Sequence, residues 1–175
     1  MSQVPEAGAG VRPHTILAMV QDRPGVLHRI VECWQAEGYN IRSLAVGAGE
    51  RPGFSRMTFV VDAASDAEQL VKDLSKLDEI AEIQDVSDRE FVSRELALVR
   101  VKGSREMRKR LMDIVDTFNA KIIDVAPDSM MIEVTGHEHK IDSLVELLKD
   151  FDVLELVRTG RVSLVRGANR PSPRL

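Results

Sequence analysis

Apolar positions in this chain follow two spacings, and the two spacings alternate in the same order in both halves. Thr15 to Val20 is a short apolar run of strand length, and the Gln21-Asp22-Arg23-Pro24-Gly25 segment interrupts it. Val26, Leu27, Ile30, Val31 and Trp34 then recur on one face of a helix. Asp22 or Arg23 stands at the predicted N-cap, Pro24 in the first turn and Gly38 as the C-cap glycine. Tyr39 to Val46 and Phe54 to Asp62 read as a hairpin about the turn-rich Gly47 to Gly53 connection. A helix over about Ser65 to Leu77, with Leu70, Val71, Leu74 and Leu77 on one face, precedes a strand over Ile80 to Val86.

The second half repeats the plan. A strand over Arg94 to Val101 leads to Ser104, a candidate cap for a helix with Met107, Leu111, Ile114, Val115 and Phe118 on its apolar face. Lys121 to Val125 and Met130 to Val134 form a second hairpin. A helix over His137 to Lys149 follows, and Val153 to Val157 and Val162 to Val165 close the sheet around a break at Thr159-Gly160. Each half is β-α-β-β-α-β, so the fold class is α+β, with two ferredoxin-like domains in tandem. The predicted organisation is a flexible tail over 1–12, a first domain over 13–87, a charged boundary near Ser87 to Phe91, a second domain over 92–167 and a tail over 168–175. Two helices cover one face of each sheet, so the other face is expected to be bare and to favour pairing with another surface.

Composition narrows the function. With 43% hydrophobic and 30% charged residues, the 175-residue chain can bury cores. Its net charge of −4 gives no overall field for nucleic acid, and 4% aromatics makes a base-stacking platform improbable. No apolar run approaches the ~20 residues of a membrane span. One cysteine, Cys33, excludes an internal disulfide and fits a cytoplasmic setting. The N-terminal stretch lacks an apolar signal core.

The chemistry concentrates at Asp22-Arg23-Pro24-Gly25. A helix N-terminus offers unpaired N–H groups and partial positive charge, which suit a carboxylate. Gly25 allows close backbone approach, and the Asn40 amide can both donate and accept. The same residues also read as a capped helix start and a strand-entry asparagine. His137-Glu138-His139 looks like a metal pair, but residues opening a helix point to different faces, so no metal site is expected. No catalytic set of nucleophile, base and acid emerges. Arg158, Arg161, Arg166, Arg170 and Arg174, with no acid after Glu155, form a basic end that reads either as solvated or as a dock for an acidic partner.

Several of these segments carry a family resemblance. Asp22-Arg23-Pro24-Gly25-Val26-Leu27, Gly38-Tyr39-Asn40-Ile41, Ser43-Leu44-Ala45-Val46-Gly47 and Ser55-Arg56-Met57-Thr58 resemble the ACT domain of the small regulatory subunit of acetolactate synthase (acetohydroxyacid synthase). Arg94-Glu95-Leu96-Ala97-Leu98, Ile122-Ile123-Asp124-Val125 and Arg158-Thr159-Gly160 are similar to the second half of that family. The resemblance implies a large catalytic subunit as partner. That subunit holds thiamine diphosphate, magnesium and FAD and makes acetolactate from pyruvate; this chain itself would hold no cofactor. It implies activation of the large subunit by a second domain in contact with it, and feedback inhibition by branched-chain amino acids, usually valine.

It further implies a homodimer through side-by-side ACT domains, with the amino acid at the interface. Gly25 corresponds to the family's ligand-contacting glycine, Asn40 to its strand-entry asparagine, and Asp22 stands where the family often has Asn. The candidate effector site is therefore Asp22, Pro24, Gly25, Val26, Leu27, Asn40 and Ile41. The carboxylate is expected on the N–H groups near Gly25 and Val26, the ammonium facing Asp22 and Asn40, from one protomer or from two, and the side chain against Leu27 and Ile41. The rivals are a free-standing ACT-type sensor acting on another enzyme or on transcription, and a small enzyme on the same fold.

Overall fold

The computed structural model describes residues 12–36, 39–63 and 67–167. Their contacts divide them into two compact units, 12–92 with 163–167, and 93–162. The first unit holds β1 (Arg12–Gln21), α1 (Val26–Ala36), β2 (Asn40–Ala48), β3 (Phe54–Ala63), α2 (Ala67–Leu74) and β4 (Ile80–Asp85). Its sheet is antiparallel in the order β2-β3-β1-β4, which is the predicted βαββαβ topology with β2 and β4 as edges.

Alternation on the two central strands builds the core. Ile16, Ala18 and Val20 of β1 and Met57, Phe59 and Val61 of β3 point to the same side, and Val26, Ile30, Trp34, Leu70 and Leu74 of the helices close over them. Trp34 meets Phe59 edge to face, with ring centroids 4.5 Å apart at 83°, the arrangement that sets a ring's positive rim on its neighbour's negative face. The opposite face of this sheet is not bare, as the pattern predicts it to be: Thr15, Leu17, Met19, Thr58 and Val60 are buried as well. β1 is therefore buried on both sides, which explains why its apolar run is continuous rather than alternating.

Element ends shift by a few residues. β1 starts at Arg12, ahead of the predicted Thr15, because β3 continues opposite it as far as Ala63. Pro13 is tolerated there at the strand's entry. Regular helix in α2 ends at Leu74, and Ser75 to Leu77 wind on through turns. Gly38 and Ser65, predicted as helix-end residues, lie outside the described residues.

The later elements are β5 (Phe91–Lys102), α3 (Arg108–Thr117), β6 (Lys121–Val125), β7 (Ser129–Gly136), α4 (Glu138–Leu148), β8 (Val153–Arg158) and β9 (Val162–Val165). The strand order is β6-β7-β5-β8, with β9 also bonded to β5. Ala97, Val99 and Val101 of β5 and Met130, Ile132 and Val134 of β7 face Leu111, Val115, Ile141, Leu144 and Leu148 of the helices. Ser104 does not cap α3. A turn intervenes, in which Met107 N–H bonds to Ser104 O at 3.0 Å, and Met107 becomes the cap residue without a side-chain bond.

The Arg158-Thr159-Gly160 motif is structural. Arg158 grips the buried Glu95 carboxylate through Nε and Nη2 at 2.9 and 2.7 Å and reaches Asp142 of α4 through Nη1 at 2.7 Å. Hydrogen bonding to Glu95 is the main reason its guanidinium is held above its usual range. Arg161 pairs with Glu138. These two arginines, read from the sequence as part of a basic end either solvated or docking a partner, instead pair with carboxylates of their own unit.

Two stability effects follow. Trp34→Ala removes the largest fully buried side chain and its ring contact, so unfolding by urea should show a loss of about 3–5 kcal/mol. Arg158→Met leaves Glu95, only 6% exposed, as a buried carboxylate with its main partner gone. The expected loss is about 2–4 kcal/mol, toward the low side because Arg158 is itself partly open to solvent. The double variant Glu95→Met/Arg158→Met should recover most of that loss.

Candidate functional site

The turn between β1 and α1 is fixed from two sides. Gln21 N–H donates to Glu79 O at 2.8 Å, and Asp22 N–H donates to Gly53 O at 2.9 Å. Arg29 of α1 also pairs with Glu79. Arg23 N–H turns back onto Gln21 O at 3.0 Å, and Pro24 has no N–H to place.

Gly25 then adopts φ +86°, a left-handed conformation that side chains resist. Its carbonyl accepts the Arg29 N–H at 3.1 Å, the first helical bond of α1. Gly25 is therefore the residue flanking the helix, in place of the predicted Asp22 or Arg23. A Cβ on Gly25 would meet no atom within 4 Å, so glycine is required here by backbone conformation and the space in front of it is open.

The predicted pair of N–H groups needs one correction. Val26 N–H is directed at Arg23 O, at 3.4 Å, and the Val26 side chain is buried in the core, where it anchors the turn. The N–H groups of Gly25, Leu27 and His28 have no protein acceptor among the described residues. Three donors without a protein acceptor thus lie at the positive end of α1, beside the exposed Gly25. Asp22, Pro24 and Gly25 are exposed, and Leu27 lies on the surface at 38% exposure.

Asn40 and Ile41 stand elsewhere. Asn40 opens β2 opposite Asp62, and its Nδ2 donates to Asp62 Oδ2 at 3.4 Å. Asp62 also accepts from Arg42 Nε at 2.8 Å. The sequence reading did not include Asp62, because only the β2–β3 register places it beside Asn40. Ile41 is half-buried against the core.

The registers also give the distance between the two parts of the site. Gln21 lies opposite Phe54 and Asn40 opposite Asp62, so the groups sit at opposite ends of the β3 stretch 54–62, roughly 26 Å apart at about 3.3 Å per residue. One protomer does not bring them together. A cavity of about 370 Å³ opens beside β4, lined in part by Leu17, Met19, Val71, Glu82 and Ile83, and none of the predicted site residues lines it.

His137 is the cap residue of α4, with its ring beside Ser93 and Arg94 rather than paired with His139. Among the described residues no group of three or more His, Cys, Asp or Glu is placed to hold a metal ion, and no described helix is long and apolar enough to cross a membrane.

Known proteins agree with this architecture. Residues 16–82 match the model of the acetohydroxyacid synthase small subunit-like ACT domain, and residues 94–167 match that of the small subunit of acetolactate synthase. The chain is 41% identical over 155 residues to a probable acetolactate synthase small subunit of Archaeoglobus fulgidus, covering 88% of this chain and 97% of that one. It is 39% identical over 157 residues to the acetolactate synthase small subunit of Bacillus subtilis, covering 89% and 91%. The crystal structure of the acetolactate synthase small subunit from Thermotoga maritima superposes with a TM-score of 0.82 at 32% identity, covering 89% of this chain and 98% of that one. On this evidence of sequence and fold, the chain belongs to the acetolactate synthase small-subunit family.

Proposed function

We propose that this chain is the non-catalytic regulatory subunit of acetolactate synthase, activating the large catalytic subunit and conferring feedback inhibition by a branched-chain amino acid, with valine the first candidate. The observation that carries the reading is the opening of α1: the N–H groups of Gly25, Leu27 and His28 have no protein acceptor among the described residues, Gly25 is exposed and left-handed, and Asp22 stands three residues before it. An amino acid's carboxylate suits the N–H groups of Gly25, Leu27 and His28, and its ammonium suits Asp22. Leu27 offers apolar surface beside them. In this reading thiamine diphosphate, magnesium and FAD belong to the catalytic subunit, the second domain contacts that subunit, and the complex works in the cytoplasm.

The site is completed by a second copy. β2 is an edge strand with Val46 exposed. A two-fold axis at this edge runs the two β2 strands antiparallel. The start of one β2 then lies beside the end of the other, which is the end where α1 opens. The partner's Asn40 and Ile41 are thereby carried across the 26 Å that separates them from Gly25 within one chain. Effector binding then favours one arrangement of two protomers over another, and that preference is what the catalytic subunit senses.

Gly25→Asp puts a carboxylate and a strained φ where the effector's own carboxylate would rest. Calorimetric titration should show valine binding lost, while the variant still activates the large subunit. Asn40→Ala should weaken binding separately. Mixing the two variants tests the shared site: random re-pairing should restore about one site in four, because each mixed dimer keeps one complete site. No restoration would mean that the two residues act within one protomer, or that Asn40 plays no part. A free-standing sensor would bind valine but leave acetolactate formation by the large subunit unchanged at every ratio.

A further inference from the structure

We propose that the tip of the β2–β3 hairpin, Gly49 to Phe54, is part of the effector machinery: it positions the effector loop through Gly53, and it is the segment of the surface whose arrangement reports the loop's occupancy. The inference rests on the effector site proposed above and adds the route by which that site alters the surface.

The link is one backbone bond. Asp22 carries the carboxylate assigned to the ammonium, and its N–H is held by Gly53 O at 2.9 Å. Gly53 presents that carbonyl from a left-handed conformation, φ +79°. A Cβ added there would meet nothing within 4 Å, so the position needs glycine for its backbone angle and not for room.

The tip is internally braced, so it responds as one piece. Gly49 N–H bonds to Phe54 O at 2.9 Å and Phe54 N–H to Arg51 O at 3.1 Å. Arg56 holds Glu50 through Nη2 at 2.6 Å and Nε at 3.2 Å, and the Arg51 guanidinium lies over the Phe54 ring at 4.3 Å. Arg51, Pro52 and Gly53 are exposed, so a movement of the tip is presented at the surface.

The loop's other attachment is stiffer. Glu79 is largely buried, receives Gln21 N–H on its carbonyl and pairs with Arg29 through its side chain. A shift of Asp22 toward a bound ammonium is therefore taken up on the hairpin side. Linkage makes the effect reciprocal: whatever alters the tip alters effector affinity by the same factor.

The test uses the full chain and free valine, read by amide hydrogen exchange and by calorimetric titration. Valine should slow exchange over 22–28 and, in step with it, at the amides of 49–54. Gly53→Ala, which strains the carbonyl's presentation without a steric clash, should weaken valine binding roughly fivefold while leaving dimerisation and the far-ultraviolet circular dichroism spectrum unchanged. If valine protects 22–28 but leaves 49–54 untouched, the hairpin inference is overturned and the effector site stands. Equal valine affinity in Gly53→Ala and the parent overturns it as well. If valine and the other branched-chain amino acids bind neither protein, both the site and its route are overturned together.

Discussion

An antiparallel strand holds its two ends apart, and the length of β3 imposes the main constraint on this protein's function. The strand is the rigid centre of the first unit: β1 is bonded along one side, β2 along the other, and its core-facing side chains are locked under both helices. Asp22 is tied to one end and Asn40 to the other. No loop movement closes that span, since Asn40 is in the β2–β3 ladder and Asp22 follows directly on β1 and is bonded to Gly53. Chemistry that needs both groups must come from two chains. In the proposed effector site, assembly and ligand recognition are for this reason one problem, because a ligand that bridges two chains would read out their arrangement directly.

The turn into α1 shows how little sequence the proposed effector site needs. Pro24 removes a donor that would have had to be satisfied, and Gly25 supplies a backbone angle that other residues resist. Buried Val26 fixes the helix against the core, so that the donors behind it do not drift. The remaining N–H groups are left unpaired by geometry rather than by any special side chain, because the first turn of a helix has no carbonyls to offer them. Recognition of a carboxylate by backbone alone leaves the side chains around the site free to set which amino acid fits.

The topology was legible in the sequence because helix faces such as Val26, Ile30 and Trp34 were strongly periodic and short apolar runs such as Thr15 to Val20 stood between them. The ends were less legible, since β1 is extended by its partner's length and not by its own composition. Burial of Leu17, Met19 and Val60 escaped an argument based on two covering helices, as sequence period reports which residues share a face and not what lies against it. In the candidate site, Gly25 and Asn40 were named from residue type and family resemblance. The place of Asp62 and the bond from Asp22 to Gly53 were not, because each depends on pairing between residues far apart in the chain, and the bond from Val26 N–H to Arg23 O depends on a local turn that residue type alone does not fix.

The second unit shows what the same plan becomes when the helix start is put to another use. Gly103 N–H bonds to Asp128 O at 2.9 Å, the counterpart of Asp22 on Gly53, so the link from first strand to hairpin tip is common to both repeats. The surroundings differ. A Cβ on Gly103 would come within 3.1 Å of the Met130 side chain, so that glycine answers to packing and not to an open approach. Arg108, the first residue of α3, folds across the hairpin and donates through Nη2 to Ala126 O at 2.8 Å and Pro127 O at 3.3 Å. An arginine at that position stands against the helix dipole and is stabilised by the two carbonyls it joins. One repeat thus leaves its helix end open toward solvent, and the other ties its own to its hairpin. The proposed effector site is placed in the first unit for that physical reason, while the helix start of the second is bound to its own chain.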